Sequence, residues 1–181
     1  MDRPTSVRLR RATLADAPTL SRWSRDRDVI AATTDDPDAD AAFGGADWAE
    51  ELAADCEHSF HLIAEEDGRP VGAMQVVDPH LEPTHYWGPI EPGLRAIDVW
   101  IGDAADRGRG LGARMMREAH ALCFADPSVS AIVIDPLESN ARAIRFYLRL
   151  GYVDEGARLF DGDDRCRVMR LTRAAWDAHG R

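Results

Sequence analysis

Lysine does not occur in the 181 residues: all 22 basic side chains are arginine, set against 32 acidic ones for a net charge of −10. Neutralising nucleic-acid phosphates needs an excess of positive charge on one face, so a duplex-binding role is set aside. Long apolar runs are missing as well. No stretch of 18 apolar residues exists and Met1 to Arg11 is polar and charged, so neither a membrane span nor a signal peptide is expected, and the expected compartment is the cytoplasm. Cysteine is sparse. Cys56, Cys123 and Cys166 are odd in number, far apart and without metal-ligand spacing, which points to free thiols, no disulfide framework and no metal. Repeats and low-complexity linkers are also absent, leaving one domain over residues 1–181 as the expectation.

What the chain does contain is an ordinary globular balance, 45% hydrophobic and 30% charged, with an acidic excess that would draw cationic substrates over long range. The chain is organised around Asp106-Arg107-Gly108-Arg109-Gly110-Leu111-Gly112-Ala113-Arg114. Ahead of it, Leu94 to Ile101 alternates as a strand does; behind it, Leu111, Met115, Ala119, Leu122 and Cys123 recur at helical spacing to about Phe124. Strand, glycine turn and helix N-terminus together make an anion cradle. Glycines let the backbone come close, several N–H groups point one way, and the helix dipole adds positive potential. Arg107, Arg109 and Arg114 add charge suited to phosphate oxygens. No Gly-Lys-Ser/Thr follows, so this is no Walker loop. The Gly-x-Gly-x-Gly spacing, separated from Ile101 by six residues, also departs from the dinucleotide fingerprint, although Asp135 lies 23 residues beyond Gly112.

Along the rest of the chain, Val7 to Arg10 reads as a strand and Thr13 caps a helix through Trp23. Asp26 to Gly45 breaks pattern and reads as an exposed loop, or as a flap whose carboxylates Asp35 to Asp40 meet a polyamine. A short helix runs from Trp48 to Asp55. Phe60 to Ala64 and Val71 to Val77 form a hairpin across Asp67-Gly68. The proline-rich stretch Asp78 to Gly93 carries His85-Tyr86-Trp87, a candidate pocket wall. Ala131 to Ile134 is an apolar strand, parallel to the Leu94 strand because a helix joins them, and it ends at Asp135-Pro136. A helix capped near Ser139 or Asn140 ends at Leu150-Gly151. Strands from Tyr152 to Ala157 and Cys166 to Leu171 flank Asp161-Gly162, and a last helix covers Arg173 to Ala178.

Arg107-x-x-Gly110-x-Gly112 resembles the acetyl-coenzyme A pyrophosphate loop of the Gcn5-related N-acetyltransferases. Ser139-Asn140-x-Arg142-Ala143-Ile144-Arg145-x-Tyr147, with the helix end at Gly151-Tyr152, resembles the fourth helix of the same family. Within it the chain is most similar to aminoglycoside 6′-N-acetyltransferases, in Arg95 to Asp98, Gly108 to Gly112, Phe124 to Pro127, Asp135-Pro136, Asp161-Gly162 and Leu171 to Arg173. The resemblance implies an α/β fold, a mixed six- to seven-stranded sheet whose central strands splay apart, flanked by about four helices. It implies acetyl-coenzyme A as co-substrate and acetyl transfer, by direct attack, to the primary amine of a small polycationic acceptor. Alternatives are a siderophore-type hydroxylated lysine, a protein or peptide amine, or a non-catalytic coenzyme A sensor. Those aminoglycoside enzymes carry a tryptophan-rich segment after the first helix, and here Val29 to Asp36 holds no aromatic residue, so a differently built front wall is expected.

The same resemblance assigns roles. Asp98, sharing a strand face with Trp100 while Ile97, Val99 and Ile101 share the other, and Asp135 at the neighbouring strand end would face the substrate amines. A carboxylate near pKa ~4 is a weak base for an ammonium near ~10, so Asp98 orients the amine or passes its proton on through water. Tyr147 is the general acid for the leaving thiolate. A backbone N–H near Val99 or Trp100 stabilises the oxyanion. Val99, Trp100, Ile101, Arg107, Gly108, Arg109, Gly110, Leu111, Gly112, Ala113, Asn140 and Ala143 would hold the cofactor, and Trp87, Asp98, Asp135 and Asp161 the acceptor. The expected partner is a small-molecule amine, for a monomer or homodimer that binds neither nucleic acid nor membrane.

Overall fold

Seven strands form one mixed sheet in the order β1-β2-β3-β4-β5-β7-β6 in the computed structural model, which describes residues 6–160 and 164–178. The strands are β1 (Val7–Arg11), β2 (Ser59–Glu66), β3 (Arg69–Val77), β4 (Leu94–Ile101), β5 (Ala131–Ile134), β6 (Val153–Phe160) and β7 (Asp164–Thr172). β2 and β3 are joined where Asp67 and Gly68 take φ of +52° and +78°, the left-handed pair a two-residue hairpin needs. All neighbours are antiparallel except β4 and β5, whose parallel pairing covers only Leu94↔Ala131, Arg95↔Ile132 and Ala96↔Val133. β4 continues to Ile101 without it, and this is the splay expected from the sequence.

Helices cover both faces: α1 (Ala17–Trp23), α2 (Arg27–Thr33), α3 (Trp48–Ala53), α4 (Leu111–Phe124), α5 (Ala141–Arg149) and α6 (Arg173–Ala178). Side-chain alternation along the strands decides what each face buries. Ile97, Ile132 and Ile134 point to the α4 side, where Met115, Met116 and Ala119 are fully buried against Met74. Ala73 and Trp100 point the other way, into a cluster with Leu20 and Trp23 of α1 and Trp48 and Leu52 of α3. Leu94, Ala96 and Val133 meet a third cluster with Trp87 and Phe160. Burying a side chain of this size contributes about 1.5–3 kcal/mol, so the two faces clamp the sheet from both sides.

One expectation is corrected. The stretch from Asp26 to Gly45 is not all loop, because residues 27–33 form α2. Seven residues are too few for a periodic signal. The helix is held by its cap, Asp26, which accepts from the N–H groups of Asp28 and Val29 at 2.9 and 3.3 Å, and by burial of Val29. Among the described residues, no helix is long and apolar enough to cross a membrane.

Candidate active site

Gly108 and Gly110 stand at φ +75° and +76°, the second as the residue preceding the first turn of α4. A β-carbon added at either would meet nothing within 4 Å, so the demand is on the backbone and the space in front stays open. The N–H groups of Leu111, Gly112 and Ala113 lie in the first turn, where no intrahelical acceptor exists, and face that space. A cleft of about 750 Å³ begins here. Val99, Trp100 and Ile101 of β4, Arg107, Gly108, Gly110 to Ala113, Asn140 and Ala143 all line it. Asn140 also caps α5, its Oδ1 accepting from Ala143 N at 3.0 Å.

The arginines of the turn do something other than expected. Arg107 is held by Asp26 and Asp28 and donates to Gly102 O at 2.9 Å. Arg109 does not line the cleft; it pairs with Asp106 and Glu66 at 2.7 Å each. Arg114 also reaches Glu66, at 3.3 Å. Glu66 and Asp106 are buried carboxylates, and a buried charge without a partner is costly, so these guanidiniums serve them first. Arg69 and Arg109 hold the Asp106 carboxyl below its usual range. The turn is therefore braced by its arginines. Arg142 and Arg149, seven residues apart on one face of α5, also line the cleft, and no ion pair among the described residues holds either of them. Neither of these two stands out in the sequence as a phosphate ligand.

A second cavity, of about 590 Å³, adjoins the cleft. Val29, Ala32, Val99, Trp100, Asn140, Ala143 and Tyr147 border both, so the two chambers meet along the parted strands. Asp36, Asp98, Asp135 and Asp164 line this second chamber, and no basic residue among the described ones does. Asp98 is exposed to the water of the open cavity, but the cavity walls crowd it and reduce its solvation. Desolvation raises its pKa, and His61, two strands away at the same register, partly offsets this. Asp135 is raised by burial and then by the charge of Asp98, while the Tyr86 hydroxyl, donating to its Oδ2 at 2.6 Å, works the other way. The two titrate as a pair. Tyr147 is buried between the chambers. Burial, then Asp98 and Asp135, push its phenol above the usual tyrosine range, so it stays a neutral donor.

Trp87, expected in the pocket wall, is instead 4% exposed in the core, its ring edge-on to Phe160 at 5.2 Å. Its neighbour Tyr86 takes the wall. Asp161 lies outside the described residues; Asp164 and Cys166 of β7 face the cavity nearby. The front wall, which has no tryptophan from residues 29–36, is built from Thr33, Thr34, Asp36 and Phe43, with the Phe43 ring 4.6 Å from that of Trp100. Two latches hold it in place. Ser139 Oγ donates to Asp35 Oδ1 at 2.6 Å, and Asp164 Oδ1 accepts from Asp35 N at 3.1 Å and from Thr34 Oγ1 at 3.4 Å. Asp35 is thus a latch, and Asp36 is the member of the acidic run that looks into the cavity.

Residues 12–160 match the family model of the acetyltransferase (GNAT) domain. Aminoglycoside N(6′)-acetyltransferase type 1 of Klebsiella pneumoniae is 37% identical over 95 residues, 52% of this chain and 47% of that protein. The kanamycin resistance protein of Rhizobium radiobacter is 40% identical over 77 residues, 42% of this chain and 71% of that one. The match thus spans about half the length of the Klebsiella relative. The solved structure of AAC(6′)-Ib with ribostamycin and coenzyme A superposes with a TM-score of 0.84 at 30% identity, covering 97% of this chain and 98% of that one. The same enzyme with coenzyme A and kanamycin gives 0.80. With the family model spanning the glycine turn and the parted strands, the chain belongs to the GNAT acetyltransferase-domain family.

Proposed function

We propose that this chain transfers an acetyl group from acetyl-coenzyme A to a primary amine of an aminoglycoside or a similarly polycationic small molecule. One observation carries the choice of acceptor: among the described residues, the chamber beside the seam presents four aspartates and no cation. Such a chamber favours several ammonium groups over an acceptor bearing a carboxylate, because each charged hydrogen bond is worth about 1.5–3 kcal/mol. The relatives named for aminoglycosides and kanamycin support the same reading.

Acetyl-coenzyme A supplies the activated thioester when bound. The N–H groups of Leu111 to Ala113 and the guanidiniums of Arg142 and Arg149 receive its phosphates. A backbone N–H near Val99 or Trp100, on the edge of β4 that β5 has left, takes the developing oxyanion. Asp98 holds the attacking ammonium and relieves it of its proton through cavity water; its raised pKa narrows the gap to the amine. Tyr147, bordering both chambers, protonates the leaving sulfur. Asp135 binds a further ammonium. One domain over residues 1–181 carries all of these parts.

Thiol release from acetyl-coenzyme A, measured against aminoglycosides, polyamines and hydroxylated lysine-like acids, tests this. Turnover of aminoglycosides or polyamines is expected. Turnover of the acid-bearing acceptors alone, or of nothing, overturns the proposal.

A further inference from the structure

Tyr86 does not border the seam, yet its hydroxyl is fixed on one of the two aspartates there, donating to Asp135 Oδ2 at 2.6 Å. Considerable local structure serves that contact. The turn carrying Tyr86 winds around the buried carboxylate of Glu82, which accepts from Thr84 N at 2.9 Å, Thr84 Oγ1 at 2.6 Å and Tyr86 N at 2.5 Å. His85 takes a left-handed φ of +55° to complete it. The phenol ring is then stacked on Phe160 at 4.7 Å and 17°, with Trp87 edge-on at 6.0 Å. A ring held from three directions leaves its hydroxyl little freedom, and Asp135 receives it.

Asp135 has cause to lose its charge. Around it stand Asp98 from β4, Asp164 and Cys166 from β7, Tyr147 from α5, Asp36 from the front wall and Arg158 from β6. Arg158 is the single cation among the described residues of that company, and it lies over the Phe160 ring at 4.7 Å. Burial and Asp98 both drive Asp135 to keep a proton, and a protonated carboxyl holds no ammonium by charge. A hydrogen bond from a neutral phenol opposes this, since it stabilises only the anion. The phenol itself cannot take over the charge, because burial and the adjacent carboxylate raise its own pKa far above the usual range. With Oδ2 engaged by the Tyr86 hydroxyl and the residue's own backbone N–H also donating to the carboxyl, the orientation of the group toward the chamber is fixed.

Resting on the acceptor reading above, we propose that Tyr86 is a positioning residue whose hydroxyl keeps Asp135 ionised and aimed into the chamber, and so sets the acidic limit for recognising polycationic acceptors.

Tyr86→Phe removes the donor and keeps the stack. The ratio of variant to wild-type kcat/KM, taken at each pH so that titration of the acceptor cancels, should fall to about one tenth near pH 7 and climb back toward one at pH 9. The acid limb should move up by about one to two pH units, with the effect mainly in KM and with coenzyme A affinity unchanged. A ratio that is flat with pH would mean packing only and overturn the proposal. In an Asp135→Asn background the same substitution should change nothing further, and an additive loss there also overturns it. A readout independent of turnover separates this from failure of the acceptor reading: NMR titration of the carboxyl-labelled Asp135 should show a higher pKa in Tyr86→Phe than in wild type, even in a protein that acetylates no polyamine. An unchanged titration counts against the role of Tyr86 alone.

Discussion

Asp98 and Asp135 each stand two residues beyond Ala96 and Val133, the last pair in the parallel ladder of β4 and β5. Had the ladder run one step further on that face, it would have set two carboxylates side by side at about 4.8 Å, a like-charge pair that destabilises a sheet. The strands part instead, and both side chains look into one cavity.

The pair should carry a measurable cost in stability. Desolvation raises Asp98 to about 6, and desolvation together with the charge of Asp98 raises Asp135 to about 7, above the ordinary value near ~4. A carboxyl whose folded pKa is raised contributes stability below the unfolded pKa, and that contribution is lost as pH rises through the folded value. Asp135→Asn should therefore melt above wild type at pH 8, by roughly 2–4 °C, and no higher than wild type at pH 4. At pH 8 it should also raise KM for a polycation roughly ten- to a hundred-fold. Asp98→Asn should lower kcat as well. Paired melting and kinetic curves at the two pH values check both parts.

Tyr147→Phe removes a hydroxyl that both chambers touch. Turnover should drop roughly ten- to a thousand-fold while the coenzyme A dissociation constant changes little, as calorimetry beside steady-state kinetics would show. Unaltered turnover would remove Tyr147 from the chemistry.

Gly110→Val forces a β-branched residue to φ +76°. With nothing near the new β-carbon, the cost is backbone strain of about 1–3 kcal/mol and loss of the open approach to the N–H groups behind it. Coenzyme A binding should weaken at least about ten-fold and the ligand-induced rise in Tm should vanish.

Arg142→Ala with Arg149→Ala should weaken coenzyme A about ten-fold or more, most at low salt, and leave the melting temperature of the free protein within about 2 °C. Arg109→Ala should do the reverse. It deprives the buried Glu66 and Asp106 of a partner and should lower Tm, and its effect on coenzyme A should follow from loosening of the turn. Differential scanning and calorimetry on the same preparations separate the two roles.

Much of this arrangement was legible in the sequence. Alternation from Leu94 to Ile101 put Asp98 and Trp100 on one face; the glycine turn, α4, β5 and the Asn140 cap followed from local chemistry that tertiary structure left intact. What was not legible depends on partners distant in the chain. Arg107 meets Asp26 across 81 residues and Arg109 meets Glu66 across 43, and nothing local shows that those guanidiniums already have carboxylate partners. Tyr86 and Trp87 are neighbours in a proline-rich loop without periodicity, so the turn around Glu82, absent from any pattern, decided which ring faces the cavity. α2 is held by one cap and one buried valine, too little to register as a repeat.

Val29, Ala32 and Ala143, all small, border both chambers, as do Trp100 and Tyr147. On the acetyl-transfer reading, side-chain volume at Ala32 or Ala143 is shared between the room for the acyl group and the room for the amine. A larger residue at either position would narrow the tolerance for acyl length and for acceptor bulk at once.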